Sequence, residues 1–191
     1  MEKQYIEEQT FERLDYTEEP LLKAEYESCT FINCNFADSD LKGIRFMECE
    51  FIDCNLSTAK LNDTSLQDVK FKNCKILGLH FEHCKDFGLA FSFENCQLNH
   101  SSFYRVKLSK TVFTSCSLQE VDFTESDLSS ATFNNCDLLN ATFEHTVLEK
   151  ADLRSSFNFI IDPEQNRLKG AAFSLTSVGG LLTKYRIKID P

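Results

Sequence analysis

The sequence predicts an all-β protein: a parallel β-solenoid with four sides to each coil, closed at its C-terminal end by a short α-helical segment. Three observations carry this. Large residues recur every fifth position, from Phe11, Tyr16, Leu21, Tyr26 and Phe31 through to Phe81. Two places before these lies a second regular position, which from residue 96 onward is always small, as in Cys96, Ser101, Val106, Thr111, Cys116 and Val121. From Phe93 to Leu148 the large position alternates strictly between Phe and Leu, and Phe11, Phe31, Phe51, Phe71 and Phe91 are spaced by 20. A period of five fits neither a helix nor a flat strand. It fits a chain that turns a corner every five residues, pointing one large and one small side chain inward on each short side. The alternation requires an even number of sides, and the spacing of 20 makes that number four. Only 6 Gly and 3 Pro in 191 residues also favour short repeated corners over ordinary loops.

Taken in chain order, Ile6 or Phe11 opens the series and Phe81 ends its first phase. Asp86 then occupies a large slot, and the phase resumes two residues later at Phe93, so a bulge or small loop is expected near 85–93. The second phase runs to Leu153. The expected solenoid is residues 1–156. Residues 157–191 form the expected cap: Asp162-Pro163 marks a turn, and Leu175, Val178, Leu181, Leu182 and Tyr185 fall on one helical face behind Ser174 as N-cap. Ile187 and Ile189 alternate like a short strand. Gly179-Gly180 weakens the helix by about 1 kcal/mol per glycine but permits close backbone approach.

The stretch CTFINCNFADSDLKGIRFMECEFIDCNL, from Cys29, contains two C-x4-C pairs, a spacing that invites a zinc reading. The repeat accounts for it otherwise. All nine cysteines stand in the small slot, and several recur at 20, so they are expected to be small buried residues. His83 beside Cys84 is no nucleophile pair, because the repeat directs them differently. No Gly-rich phosphate loop is present, and the carboxylates fall on outer faces. No catalytic residue, metal, cofactor or small-molecule substrate is expected, and the protein is not expected to be an enzyme.

The units ATFNN, CDLLN, ATFEH and ADLRS resemble the A-(D/N)-L-x-x repeat of the pentapeptide-repeat family, over about residues 11–156. The resemblance implies a right-handed, four-sided parallel β-helix of about seven coils, roughly 35 Å long at about 4.8 Å per coil. Qnr-like members act on DNA gyrase by mimicking DNA. They protect it from quinolones, related immunity proteins protect it from toxins, and their C-terminal ends join two rods. The resemblance therefore implies DNA gyrase as a partner and a homodimer.

Charge bears on the same question. The net charge is −10, which disfavours direct contact with nucleic acid or an anionic membrane. No apolar run approaches a membrane span. The N-terminal stretch has no apolar leader, so a cytoplasmic location with reduced thiols is expected. Residues 118–153 hold eight acids and one base. Glu120, Asp122, Glu125, Asp127, Asp137, Glu144, Glu149 and Asp152 are thus the candidate acidic partner-binding face. Leu175, Val178, Leu181, Leu182, Tyr185, Ile187 and Ile189 are the candidate dimer interface. The alternative function is a general protein-protein interaction scaffold.

Overall fold

The computed structural model describes residues 4–188. The chain winds as a right-handed, four-sided parallel β-solenoid. Two sides carry regular strands. On the first, β1 (Gln4–Glu7), β3 (Ala24–Glu27), β5 (Arg45–Met47) and β7 (Ser65–Gln67) pair in that order. On the second, β2 (Thr10–Glu12), β4 (Thr30–Ile32), β6 (Glu50–Ile52), β8 (Val69–Lys72), β9 (Phe91–Glu94), β10 (Val112–Thr114) and β11 (Thr132–Asn134) run as one parallel ladder. The third and fourth sides are held by single bridges, such as Asp15 to Asn35 to Asn55 to Lys75, and Ser102 to Asp122 to Thr142.

The corners explain the period. Backbone φ is positive two residues after the large position at turn after turn, for example at Asn33, Asp38, Asp53, Asn73 and Asn135. A left-handed corner costs a non-glycine residue about 1–2 kcal/mol, least for Asn and Asp, and the packed interior offsets that strain. A second device recurs where Asp or Asn stands immediately before the large residue. The carboxylates of Asp40, Asp122, Asp127, Asp137 and Asp152 accept the backbone N–H two residues on, at 3.0, 2.8, 2.9, 3.2 and 3.1 Å. Asn35 and Asn55 do the same. The aspartate or asparagine of the repeat is therefore a turn-former.

Inside, the Phe and Leu alternation becomes two opposed aromatic columns. Phe31, Phe51, Phe71, Phe93, Phe113 and Phe133 stack along the second side with centroids 4.8–5.3 Å apart. Phe81, Phe103, Phe123 and Phe143 stack along the fourth, at 4.4–5.4 Å. The columns meet edge to face, as at Phe113 and Phe123 (82°), the arrangement aromatic quadrupoles favour. On the other two sides Tyr26 and Phe46, and Tyr16 and Phe36, stack near the N-terminus at 5.5 and 4.6 Å, and Leu or Ile fills the later coils. All nine cysteines are buried and unpaired. Six of them, Cys34, Cys54, Cys74, Cys96, Cys116 and Cys136, form one column, a coil apart, at the corner before the third side. The thiols donate to backbone carbonyls, as from Cys54 Sγ to Phe31 O at 3.3 Å.

The phase break lies where the sequence puts it. Val69 pairs with Phe91 and Lys75 with Gln97, a register of 22 where the rest of the rod keeps 20. The first-side sheet ends at β7, while the second-side sheet runs through. Phe91 does not keep a large slot. It takes the small slot opposite Val69 and is buried against Phe81 and Phe93 at 5.2 Å from each.

Two differences concern the C-terminal end. Bridges continue past the visible repeat, joining Asp137 to Phe157, Val147 to Arg167 and Asp152 to Ala172, so the coil winds further than the five-residue pattern shows. The expected α-helix is absent: Val178–Leu181 and Thr183–Tyr185 are 3-10 turns. Gly180 supplies the reason. A Cβ there would lie 2.2 Å from the carbonyl oxygen of Phe159, so the backbone is pressed onto the last coil, and Ile161 N–H donates to Gly180 O at 3.1 Å. Close docking on the coil end wins over the regular helix that two glycines in succession already disfavour.

Candidate functional site: the outer faces and the C-terminal end

The corner geometry sends the residues flanking each large position outward, and these make up four flat faces. The eight predicted acids do not share one. Asp127 and Glu149 lie on the first side, Asp152 on the second, Asp137 on the third, and Asp122 and Glu144 on the fourth. Glu120 and Glu125 occupy left-handed corners at φ 57° and 56°. The acidity of this segment encircles the rod.

Several of these groups are engaged. Glu125 accepts from Arg105 Nε at 2.7 Å, and that hydrogen bond holds its carboxyl below the usual range. Arg154 does the same to Asp152, at 2.6 Å. Glu149 pairs with Arg167 at 2.7 Å and Glu120 with His100 at 3.2 Å. Asp122, Asp127 and Asp137 spend an oxygen on the corner N–H described above. Asp137 also accepts from Gln119 and Asn158. The aspartates thus serve the backbone, Glu120, Glu125 and Glu149 pair with surface bases, and Glu144 has no ion pair among the described residues. Period-five spacing alone does not separate these roles. The signal that does is the position within the repeat, since the residue immediately before the large one reaches the N–H two places on.

Toward the N-terminus Asp38, Asp40, Glu50 and Asp53 are likewise tied to the neighbouring coils. Asp38 accepts from Thr58 at 2.6 Å, Asp40 from Lys23 at 3.3 Å, Glu50 from Lys70 at 2.8 Å and Asp53 from Asn73 at 3.0 Å.

The apolar residues of the predicted dimer interface divide. Leu181 turns inward and packs on the core, whose end is closed by Phe159 and Ile161. Val178 and Leu182 are half-buried, whereas Leu175, Tyr185 and Ile187 are exposed, Leu175 at 94%. Ile189 lies outside the described residues. Phe157 and Ile160, which the repeat does not single out, are also exposed at this end. The last segment is strapped down by Lys184, which reaches Asp162 and Glu164 at 2.6 Å each, and by Tyr185, whose hydroxyl donates to Glu164 at 2.8 Å. Among the described residues no helix is long and apolar enough to cross a membrane.

The family model for a pentapeptide repeat region matches residues 24–91 and 90–156. Full-length QnrB1, described as a plasmid-mediated fluoroquinolone resistance protein, is similar in structure, with a TM-score of 0.56 at 17% identity, over 96% of this chain and 100% of that one. HetL, a pentapeptide repeat protein involved in heterocyst differentiation regulation from the cyanobacterium Nostoc sp. strain PCC 7120, aligns with a TM-score of 0.46 at 16% identity, over 90% of this chain and 88% of that one. No curated protein matches the chain.

Proposed function

The chain belongs to the pentapeptide-repeat family, and from that premise we propose that it is a non-enzymatic rod that acts by binding another protein on its outer faces. We infer that the partner is DNA gyrase or a related type II topoisomerase, engaged by mimicry of duplex DNA. The outcome is modulation of that enzyme or its protection from quinolones or toxins. One observation carries the reading: the carboxylates of residues 118–153 encircle a rod, much as phosphates surround a duplex. A basic DNA-binding surface is attracted to such a field. The likeness to QnrB1 supports the shape, and the charge supports the partner. The exposed apolar end, with Leu175, Tyr185 and Ile187, is the proposed contact between two rods in a homodimer. The reduced, buried thiols fit a cytoplasmic setting.

The test is a gyrase supercoiling assay with and without ciprofloxacin at graded protein concentrations. The intact chain is expected to inhibit the enzyme or rescue it from the drug. A Glu120→Lys, Glu125→Lys, Glu144→Lys variant is expected to require at least about tenfold more protein. Asp122 and Asp127 are left in place because they hold corner N–H groups. No inhibition, no rescue and no binding would refute the topoisomerase reading and leave a general interaction scaffold.

A further inference from the structure

The two extra residues of the broken coil create a surface found nowhere else on the described rod. Because the first-side sheet stops at β7, a groove of about 310 Å³ opens beside the break. Half-buried Leu89 and Ala90 and buried Phe91 line it, together with Lys70, Lys107 and Lys110. Asp68 is its one acid. On the other flank of the break, Arg45, Gln67, Lys85 and Phe87 border a second hollow of about 180 Å³. Phe87, 84% exposed, is a wall of this second hollow.

The turn that presents Phe87 is built. Gln67 Nε2 donates to Phe87 O at 3.3 Å, and Ala90 N–H donates to Leu66 O at 3.0 Å. Gly88 adopts φ +69°, and a Cβ there would lie 2.9 Å from Gln67 Nε2. A large aromatic side chain held in water by a specified turn has the form of an anchor for a partner.

The charge says what kind of partner. Arg45 and Lys70 are shared with Glu25 and Glu50, at 3.6 and 2.8 Å. Lys85, Lys107 and Lys110 form no ion pair among the described residues. Near these cations stand Asp68 and Asp86, and Asp127 lies beside Lys107 one coil on. On a chain of net charge −10 this is the place where an anionic segment is attracted, while the acidic coils on either side repel it.

We propose that the broken coil docks an extended acidic segment of a protein partner, with an apolar side chain of that segment seated against Phe87 and Leu89. The surface is distinct from the encircling carboxylates and does not depend on the topoisomerase reading.

Fluorescence anisotropy with the labelled peptide Glu-Glu-Glu-Phe-Glu-Glu-Glu tests this on the full chain. The expected result is saturable binding that weakens with salt. It should weaken at least tenfold in Lys107→Glu, Lys110→Glu, and likewise in Phe87→Ser. Replacing the peptide's Phe by Ser should weaken it too. The lysine variant keeps the backbone, because Glu120 already takes the same corner conformation at φ 57°. Phe87→Ser alters only an exposed side chain, so it provides a second arm should the lysine variant fail to fold. Absence of saturable binding, unchanged binding by both variants, or equal binding of Lys-Lys-Lys-Phe-Lys-Lys-Lys overturns the proposal.

Discussion

The small slot of the repeat shows how one residue position can play two parts. It must fit behind a large residue, and where it carries a hydroxyl or thiol it also donates to a nearby carbonyl. Ser126 Oγ and Thr146 Oγ1 both donate to Phe123 O at 2.8 Å, and the cysteines make the longer thiol version of such bonds. Cysteine suits the slot as a compact, apolar residue with a weak donor. Burial pushes the thiols of Cys49 and Cys84 up to about 12. Both are therefore expected to resist iodoacetamide in the native protein at pH 8 and to react fully in denaturant. Mass spectrometry of the alkylated peptides reads this directly, and rapid native labelling at either position would contradict the packing described.

At the scale of elements, the informative segments are those that interrupt the ladder. The broken coil keeps the second-side sheet continuous but ends the first-side sheet, because two added residues are absorbed on one side only. The C-terminal segment is held by close backbone contact at Gly180 and by the strap of Lys184 to Asp162 and Glu164. The hydrogen bonds from Lys184 hold both carboxyls below their usual values. Their folded pKa values lie under the unfolded ones, so this contribution is fully present above about pH 4 and is lost as pH falls through the folded values. Amide exchange in residues 178–186 is therefore expected to accelerate, relative to the coil amides, on acidification from pH 5 to pH 2. Asp162→Asn should bring on the same acceleration at neutral pH. Exchange in the segment that tracks the coil at every pH would remove the strap from the account.

For the molecule as a whole, two properties follow from the coil. It is quasi-one-dimensional, so each level touches only its neighbours and the ends need covering. The C-terminal end is covered by Phe159, Ile161 and Leu181, yet it still shows Leu175, Tyr185 and Ile187 to water. If this end joins two rods as proposed, the solution mass by light scattering is twice that of the chain. Leu175→Glu combined with Ile187→Glu halves it and leaves the far-ultraviolet circular dichroism unchanged. An intact chain that scatters as a monomer at high micromolar concentration would defeat the dimer.

The interior was legible in one dimension because it repeats. A slot that recurs every five residues must meet the same environment in each coil, so period, coil size, cysteine burial and the position of the phase break could all be read from residue spacing. The outer surface carries no such constraint. Asp122 and Glu120 look alike as acids in a string, but one reaches a corner N–H and the other sits on a left-handed corner facing His100. Only winding the chain reveals that the acids encircle the rod. The same holds for the C-terminal segment, whose helical pattern yields to the approach of Gly180 onto Phe159. It also holds for the broken coil, where Lys70 and Lys107, far apart in sequence, become two walls of one groove. Local spacing specifies what is buried, whereas contacts between coils decide which charges and which apolar groups face a partner.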